Sequence, residues 1–213
     1  MIENSAPVRP FWRTTSFLAF GVALGLFILA GAIWLIWNVF QPYVFHGMVL
    51  QSPVPAVNFT LTGSNGQAVS LDDYRGKVVL LYFGYTTCPD VCPTTLAELH
   101  KARELLGKRA DQVQVFMVTV DPERDTLQVL ADYIPHFDPS FIALTGTSDQ
   151  IAAVATYYGI FYEKKVGDSA LGYLVDHTAT VMAIDRQGFL RVVFPFGATA
   201  ADMAADLTYL LDR

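Results

Sequence analysis

Charge is missing from a long early stretch of the sequence: no Lys, Arg, Asp or Glu occurs between Phe17 and Leu71. Its first part, "FLAFGVALGLFILAGAIWLIW" from Phe17 to Trp37, is long enough to match the roughly 20 residues that an α-helix needs to cross a bilayer core. A small-residue cleavage site is lacking as well. The run passes straight into "NVFQPYVF", and it outlasts the roughly 7–15 apolar residues of a signal peptide. These absences argue against a removed leader and for a retained membrane anchor. Trp12, Trp34 and Trp37 stand near its ends, where amphipathic rings settle at headgroup level. The tail 1–16 carries Arg9 and Arg13 against Glu3, while residues 38–71 have no basic side chain. Positive-inside therefore predicts a cytoplasmic tail, a spanning helix over 17–37 and an exported remainder.

Basic charge is scarce elsewhere too. Lys and Arg number 14 against 20 Asp and Glu, a formal charge of −6, with no basic stripe; this excludes a nucleic-acid binder, which needs cations to neutralise phosphates. Internal repeats and low-complexity runs are absent, so one domain is expected over 53–213, after a tether over 38–52 that mixes Pro42 with apolar residues of no clean period. Cysteine is nearly absent: Cys88 and Cys92, in "GYTTCPDVCPTTL", are the only two.

What is present is an alternation of strands and helices. "VNFTLTGSNGQAVSL" alternates around Asn65-Gly66, which predicts a hairpin with a two-residue turn. "KVVLLYFGY" (77–85) and "VQVFMVTV" (113–120) are continuous apolar runs, as in strands buried on both faces. Between them Leu96, Leu99, Ala102, Leu105 and Leu106 repeat at helical spacing from Pro93 to near Gly107. "DPERDT" (121–126) reads as a loop, and "LQVLADYIPHF" as a helix ending at or before Pro135. "FIALTG" is a third strand, followed by a helix capped by Thr147 or Ser148. "IFYEKKV", a flexible Lys165–Gly172 loop, "HTATVMAID", a turn at 186–188, "FLRVVFPF" and a closing helix complete the chain. This order predicts an α/β protein with a central mixed sheet flanked by helices, a thioredoxin-like fold.

The two cysteines sit where the first long strand runs into its helix. Residues i and i+4 share a helical face about 5–6 Å apart, so Cys88 and Cys92 can act together, Cys92 at the helix mouth and Cys88 in the loop before it. Helix-terminal amides favour thiolate there. Idle vicinal thiols in an oxidising compartment would close to a disulfide, which counts against two buried structural cysteines. The pair is equally compatible with thiol–disulfide chemistry and with a soft donor pair for copper. A third donor would have to come from elsewhere. His100 falls on the polar side of its helix, His136 lies in a loop without an evident partner, and His46, near Met48, reads as a tether residue. His177, at the entry to a late strand expected beside the one feeding the cysteine loop, can complete a two-sulfur, one-nitrogen site, with Asp176 as a neighbouring carboxylate to orient it.

"GYTTCPDVCPTTL", "VTVDPERDT", "FIALTGT" and "YLVDHTATVMAID" together resemble, in order and spacing, the Sco/SenC family of membrane-anchored copper proteins that support assembly of cytochrome c oxidase. The resemblance runs from about Pro53 to Leu211 and extends to the anchor; Met182 and Ala183 depart from it, standing where many relatives have larger residues. It implies a thioredoxin-like domain that binds one copper ion, Cu(I) or Cu(II), through Cys88, Cys92 and His177. It also implies a role in maturing the binuclear copper site of an oxidase subunit, by copper delivery, by reduction of that subunit's cysteines, or by both, with a copper donor protein as a further partner. No ligand role attaches to Asp121–Thr126, which reads as a loop shaping the cleft. The short tail, poor in Arg and Ser, points to a bacterial inner membrane with the domain in the periplasm, the mitochondrial inner membrane being the alternative. A thiol–disulfide oxidoreductase and a peroxiredoxin-like peroxidase are the competing classes.

Overall fold

The computed structural model describes residues 12–166 and 172–213. It divides into two compact units, one up to Val44 and one from Phe45 to Arg213. The first holds α1 (Trp12–Val39), which begins before Phe17 and runs past Trp37. Its stretch Ala19–Asn38 is 20 residues of apolar helix, about 30 Å at 1.5 Å per residue, long and apolar enough to cross a membrane.

The second unit runs β1 (Met48–Pro55), β2 (Thr60–Gly63), β3 (Ala68–Ser70), β4 (Val78–Gly84), α2 (Val91–Leu105), β5 (Val113–Thr119) and α3 (Leu127–Tyr133). It continues through β6 (Ile142–Thr145), α4 (Ser148–Tyr157), β7 (Tyr162–Val166), β8 (Tyr173–His177), β9 (Val181–Ile184), β10 (Phe189–Phe194) and α5 (Ala200–Leu211). Eight strands form one sheet in the order β1-β10-β9-β4-β5-β6-β2-β3, and β7 and β8 form a separate antiparallel pair. β4, β5 and β6 are parallel and the flanking pairs antiparallel, so the sheet is mixed, as expected. Every residue of β4 and β5 is buried, because both faces are covered; this is why those strands read as unbroken apolar runs. α2 packs against α5, and α3 lies by β6. Thr147 caps α4 through a reciprocal box with Gln150.

The turn, the tether and His46 need correction. The turn between β2 and β3 is not a two-residue one: Gly63 N–H donates to Gln67 O (2.8 Å), enclosing Ser64, Asn65 and Gly66, with Gly66 at φ 77°. The flexible loop expected at 165–172 lies outside the described residues at 167–171, and its flanks belong to β7 and β8.

The tether is the larger correction, because Met48–Pro55 is an edge strand paired with β10. Prolines hide such a strand from a sequence reading, yet an edge tolerates them where no ladder partner needs their N–H, and here the register shifts between Val49 and Val54. His46 is no free tether residue either. Asp206 on α5, fully buried, accepts the N–H groups of His46 (3.0 Å) and Gly47 (2.9 Å) and pairs with His46 Nδ1 (2.9 Å). That hydrogen bond raises the His46 pKa.

Candidate metal centre

β4 carries the chain to the site and ends at Gly84, where a Cβ would stand 2.7 Å from the Tyr82 ring and 3.1 Å from Cys92 Sγ; only glycine lets the strand pass so close beneath the sulfur. A turn follows in which Cys88 N–H meets Tyr85 O (3.4 Å). α2 starts at Val91, two residues earlier than the Pro93 of the sequence reading, so Cys92 lies within its first turn. No side chain of Asp90 caps that terminus. The Cys92 N–H instead points at Cys88 Sγ (3.4 Å), and the Cys88 sulfur takes the place of a capping oxygen.

His177 meets this pair from β8. Its Nε2 stands 3.4 Å from Cys92 Sγ, and the two sulfurs and a His177 nitrogen all lie within 4.8 Å of one another. The histidine is the last residue of the β7–β8 hairpin and precedes β9, the strand that pairs with β4 as expected and begins at Val181. Thr178 closes the base of the hairpin, its N–H donating to Phe161 O (2.9 Å) and its Oγ1 accepting from Phe161 N–H (3.1 Å). Nδ1 of His177 faces Thr178 O (3.3 Å), which leaves Nε2 turned to the sulfurs. The rings of Tyr85 and Tyr82 stand edge-on to the imidazole at 5.8 and 6.3 Å between centroids.

Asp176 does not orient this ring. It is exposed, and as the preceding residue on the strand its side chain leaves from the opposite face. The other histidines are elsewhere: His136 Nδ1 contacts Tyr133 O (3.3 Å), and His100, expected to be solvated, pairs with Asp138 (3.1 Å). Burial works against the Asp138 carboxylate, but the Ser140 hydroxyl and amide, His100 and Arg103 hold its pKa at about 2.

Both cysteines are free thiols, and they are unequal. The hydrogen bond from Cys92 lowers the Cys88 pKa to about 3 against the cost of its burial, with His177 and the amides of Asp90 and Cys92 adding to the effect. The same hydrogen bond and deeper burial push Cys92 up. One proton is thus kept between two sulfurs, on Cys92. In the reduced, metal-free full chain, alkylation of Cys88 by iodoacetamide is expected to hold one rate from pH 7 down to pH 4. At pH 4 it should exceed that of a simple model thiol by about a hundredfold, thiolate fraction outweighing the lower nucleophilicity of a weakly basic sulfur. A rate that falls tenfold per pH unit below pH 8 would show an ordinary thiol.

With this geometry, the comparisons with known proteins become specific. The SCO1/SenC family profile matches residues 51–212. The chain belongs to the SCO1/SenC family. An SCO2-like protein of Rickettsia felis is 39% identical over 132 residues, 62% of this chain and 64% of that protein. The mitochondrial SCO2 homologue of Bos taurus is 38% identical over 140 residues, 65% of this chain and 53% of that protein. The matches thus span less than two thirds of each of these relatives. Among solved structures, copper-bound ScoI of Bradyrhizobium japonicum superposes with a TM-score of 0.68 at 39% identity, covering 74% of this chain and 100% of that one. Apo Sco1 of Thermus thermophilus gives 0.71 at 42% identity, covering 79% and 98%. The thioredoxin-like architecture is therefore that of the Sco proteins.

The donors of this SCO1/SenC chain fit a soft metal ion. Donors around one ion at bond lengths of about 2.0–2.3 Å stand about 3.5–4 Å apart, and two sulfurs with one imidazole nitrogen are the set that suits copper, Cu(I) above all. The residues that hold the site in shape went unassigned in the sequence. Asp125, fully buried, accepts from Thr86 N–H (3.1 Å), Thr86 Oγ1 and Thr119 Oγ1 (2.6 Å), lashing the cysteine loop to the end of β5. A signal was present: Asp121 and Asp125 directly follow a strand too apolar to end in water, and buried carboxylates need partners.

Proposed function

We propose that this protein is a membrane-anchored copper chaperone that helps assemble the binuclear copper centre of cytochrome c oxidase. It holds one copper ion, Cu(I) or Cu(II), as cargo through Cys88, Cys92 and His177. The observation that carries this reading is the convergence of two sulfurs and an imidazole nitrogen within 4.8 Å, from two separate segments. Its support is chemical, from the softness of the donors, and comparative, from copper-bound relatives such as the Bradyrhizobium japonicum and Arabidopsis thaliana ScoI proteins. Cys92 is wholly buried while Cys88 and His177 are partly exposed, so an ion bound there would be open to a partner's ligands on one side. The partners are then a donor protein that supplies copper and the oxidase subunit that receives it. The apolar helix and the basic tail support a single-pass anchor in a bacterial inner membrane with the domain in the periplasm.

The reduced full chain in detergent is expected to take up one Cu(I) per molecule in competition with a chromogenic chelator, and to release it when the thiols are oxidised. Uptake that persists after oxidation of both cysteines would place the metal elsewhere.

The low pKa of Cys88 favours a second, compatible reading as a thiol–disulfide reductant. The Cys88 thiolate attacks a partner disulfide and frees one partner thiolate. Cys92, losing its proton, then displaces the mixed disulfide, and the partner leaves with two thiols while Cys88 and Cys92 are oxidised to a disulfide.

A further inference from the structure

His177 is carried by a two-stranded hairpin outside the main sheet, so its aim at the sulfurs depends on what holds that hairpin. The base is closed by Phe161 and Thr178. The other end, where Tyr173 pairs with Val166, is held from beneath by the loop 121–126. Tyr173 Oη donates to Asp121 Oδ1 (2.7 Å), and Arg124 Nη1 donates to Tyr173 O (2.9 Å). The Arg124 guanidinium lies 3.7 Å from the Tyr173 ring centroid and 5.8 Å from that of Tyr85, while its Nε pairs with Asp121, which is fully buried. Between the two ends, Val175 N–H donates to Tyr85 Oη (3.2 Å), and Tyr85 belongs to the segment leading into the cysteine loop. At the margin Lys164 pairs with Glu123 (2.6 Å).

A planar guanidinium stacked on one ring, bonded to a carbonyl and paired with a buried carboxylate fixes direction as well as distance. Surface decoration would not require a buried carboxylate. We propose that Asp121, Arg124 and Tyr173 form a clamp that positions His177, setting how much the imidazole adds to metal affinity without touching the ion. The three are positioning residues, and they connect the third donor to β5 through the very loop that also fastens the cysteines, by Asp125 and Thr86. Unfastened, the hairpin keeps only its Phe161–Thr178 base and the Val175–Tyr85 contact, and the direction in which the strand presents His177 is no longer fixed from its far end.

The metal part of this inference rests on the copper reading, and the test keeps the two apart. Cu(I) affinity is measured by chelator competition on the full chain in detergent, for Arg124→Ala, Arg124→Lys and Tyr173→Phe, each with His177 intact and in the His177→Ala background. Arg124→Ala is expected to weaken binding about tenfold when His177 is present, the lower end of what outer-shell changes cost, and less than twofold when it is absent. Arg124→Lys keeps the charge but not the fork and should recover only part. Tyr173→Phe keeps the stacked ring, loses one hydrogen bond and should weaken binding about threefold. Affinity of the dithiol alone, read in the His177→Ala background, should stay within twofold in all of them, which a general structural fault would not allow. Equal weakening in both backgrounds, or none in either, overturns the clamp. Independently of any metal, Arg124→Ala should speed hydrogen exchange of the Val175 amide at least tenfold in the apo chain; unchanged exchange there would overturn the proposal even if copper bound as expected. If His177→Ala alone left copper affinity unchanged, the ligand reading would fail, and the exchange result would still decide whether the hairpin is clamped.

Discussion

Cys88→Ser and Cys92→Ser are each expected to lower Cu(I) affinity about a thousandfold, and His177→Ala about a hundredfold, with the fold retained. The scale follows from structural metal sites, where roughly 10–16 kcal/mol spread over four donors amounts to about 2.5–4 kcal/mol each. Thiolates are the softer donors and take the larger share. The site also predicts an asymmetry. Cys88 is already a thiolate at neutral pH, whereas Cys92 must lose its proton before it can act as a thiolate donor, so copper uptake should release about one proton from the pair and strengthen with rising pH. In Cys92→Ser that proton release disappears, because the remaining thiolate carries none. Chelator competition at several pH values, together with calorimetry in two buffers of different ionisation enthalpy, reads both quantities. Retention of full affinity in His177→Ala would leave a two-coordinate dithiolate as the correct description.

Asp125→Ala is expected to destabilise the folded domain by about 3 kcal/mol, a fall in melting temperature of roughly 6–12 °C for a domain of this size. The substitution strands the fully buried Thr119 hydroxyl and takes the acceptor from the half-buried Thr86 N–H and hydroxyl. Burial raises the Asp125 pKa above its ordinary 3.8, against the pull of those hydrogen bonds. A carboxyl group whose folded pKa is raised stabilises most below its unfolded pKa, and that contribution declines as pH climbs through the folded value. Asparagine does not titrate, so Asp125→Asn should recover most of the loss at pH 7, and because wild type alone gains stability as pH falls, the gap between them should widen toward pH 4. Thermal melts of the three proteins between pH 4 and pH 8 measure this. An alanine variant that melts within 2 °C of wild type would show that Asp125 contributes little. Because Thr86 leads into the cysteine loop, copper affinity should fall in Asp125→Ala as well, although none of the three donors has been altered.

Legibility followed the range of the interactions. The buried strands β4 and β5 could be read because both faces are covered, and full burial demands apolar residues at every position rather than at alternate ones. α2 was visible in its leucine spacing, and its first turn was misplaced by only two residues because Pro93 can occupy an early helical position without being the first. β1 was unreadable. Its prolines argue against a strand, and nothing local reveals that β10 offers an edge with room for them. His46 was likewise misjudged, since its partner, Asp206, is 160 residues away.

The site shows the same division at finer scale. The sequence by itself determined the two sulfurs and their common face, because both depend on a few neighbouring residues at a strand–helix junction, while the glycine beneath them showed itself only in the structure. It also singled out His177 among four histidines, through the following strand, β9, which does pair with β4, but it missed the hairpin that carries the residue. Asp176, which it offered as a helper, is turned away from the ring by strand alternation. Only the tertiary structure decided that His177 rides on a separate hairpin, that its Nδ1 faces Thr178 O, and that the loop read as shaping the cleft packs Asp121 and Arg124 under that hairpin. The physical reason is that a hydrogen bond's partner is fixed by where the chain returns. Spacing along the sequence announces a donor, while the groups that aim it arrive from segments 39 to 90 residues away.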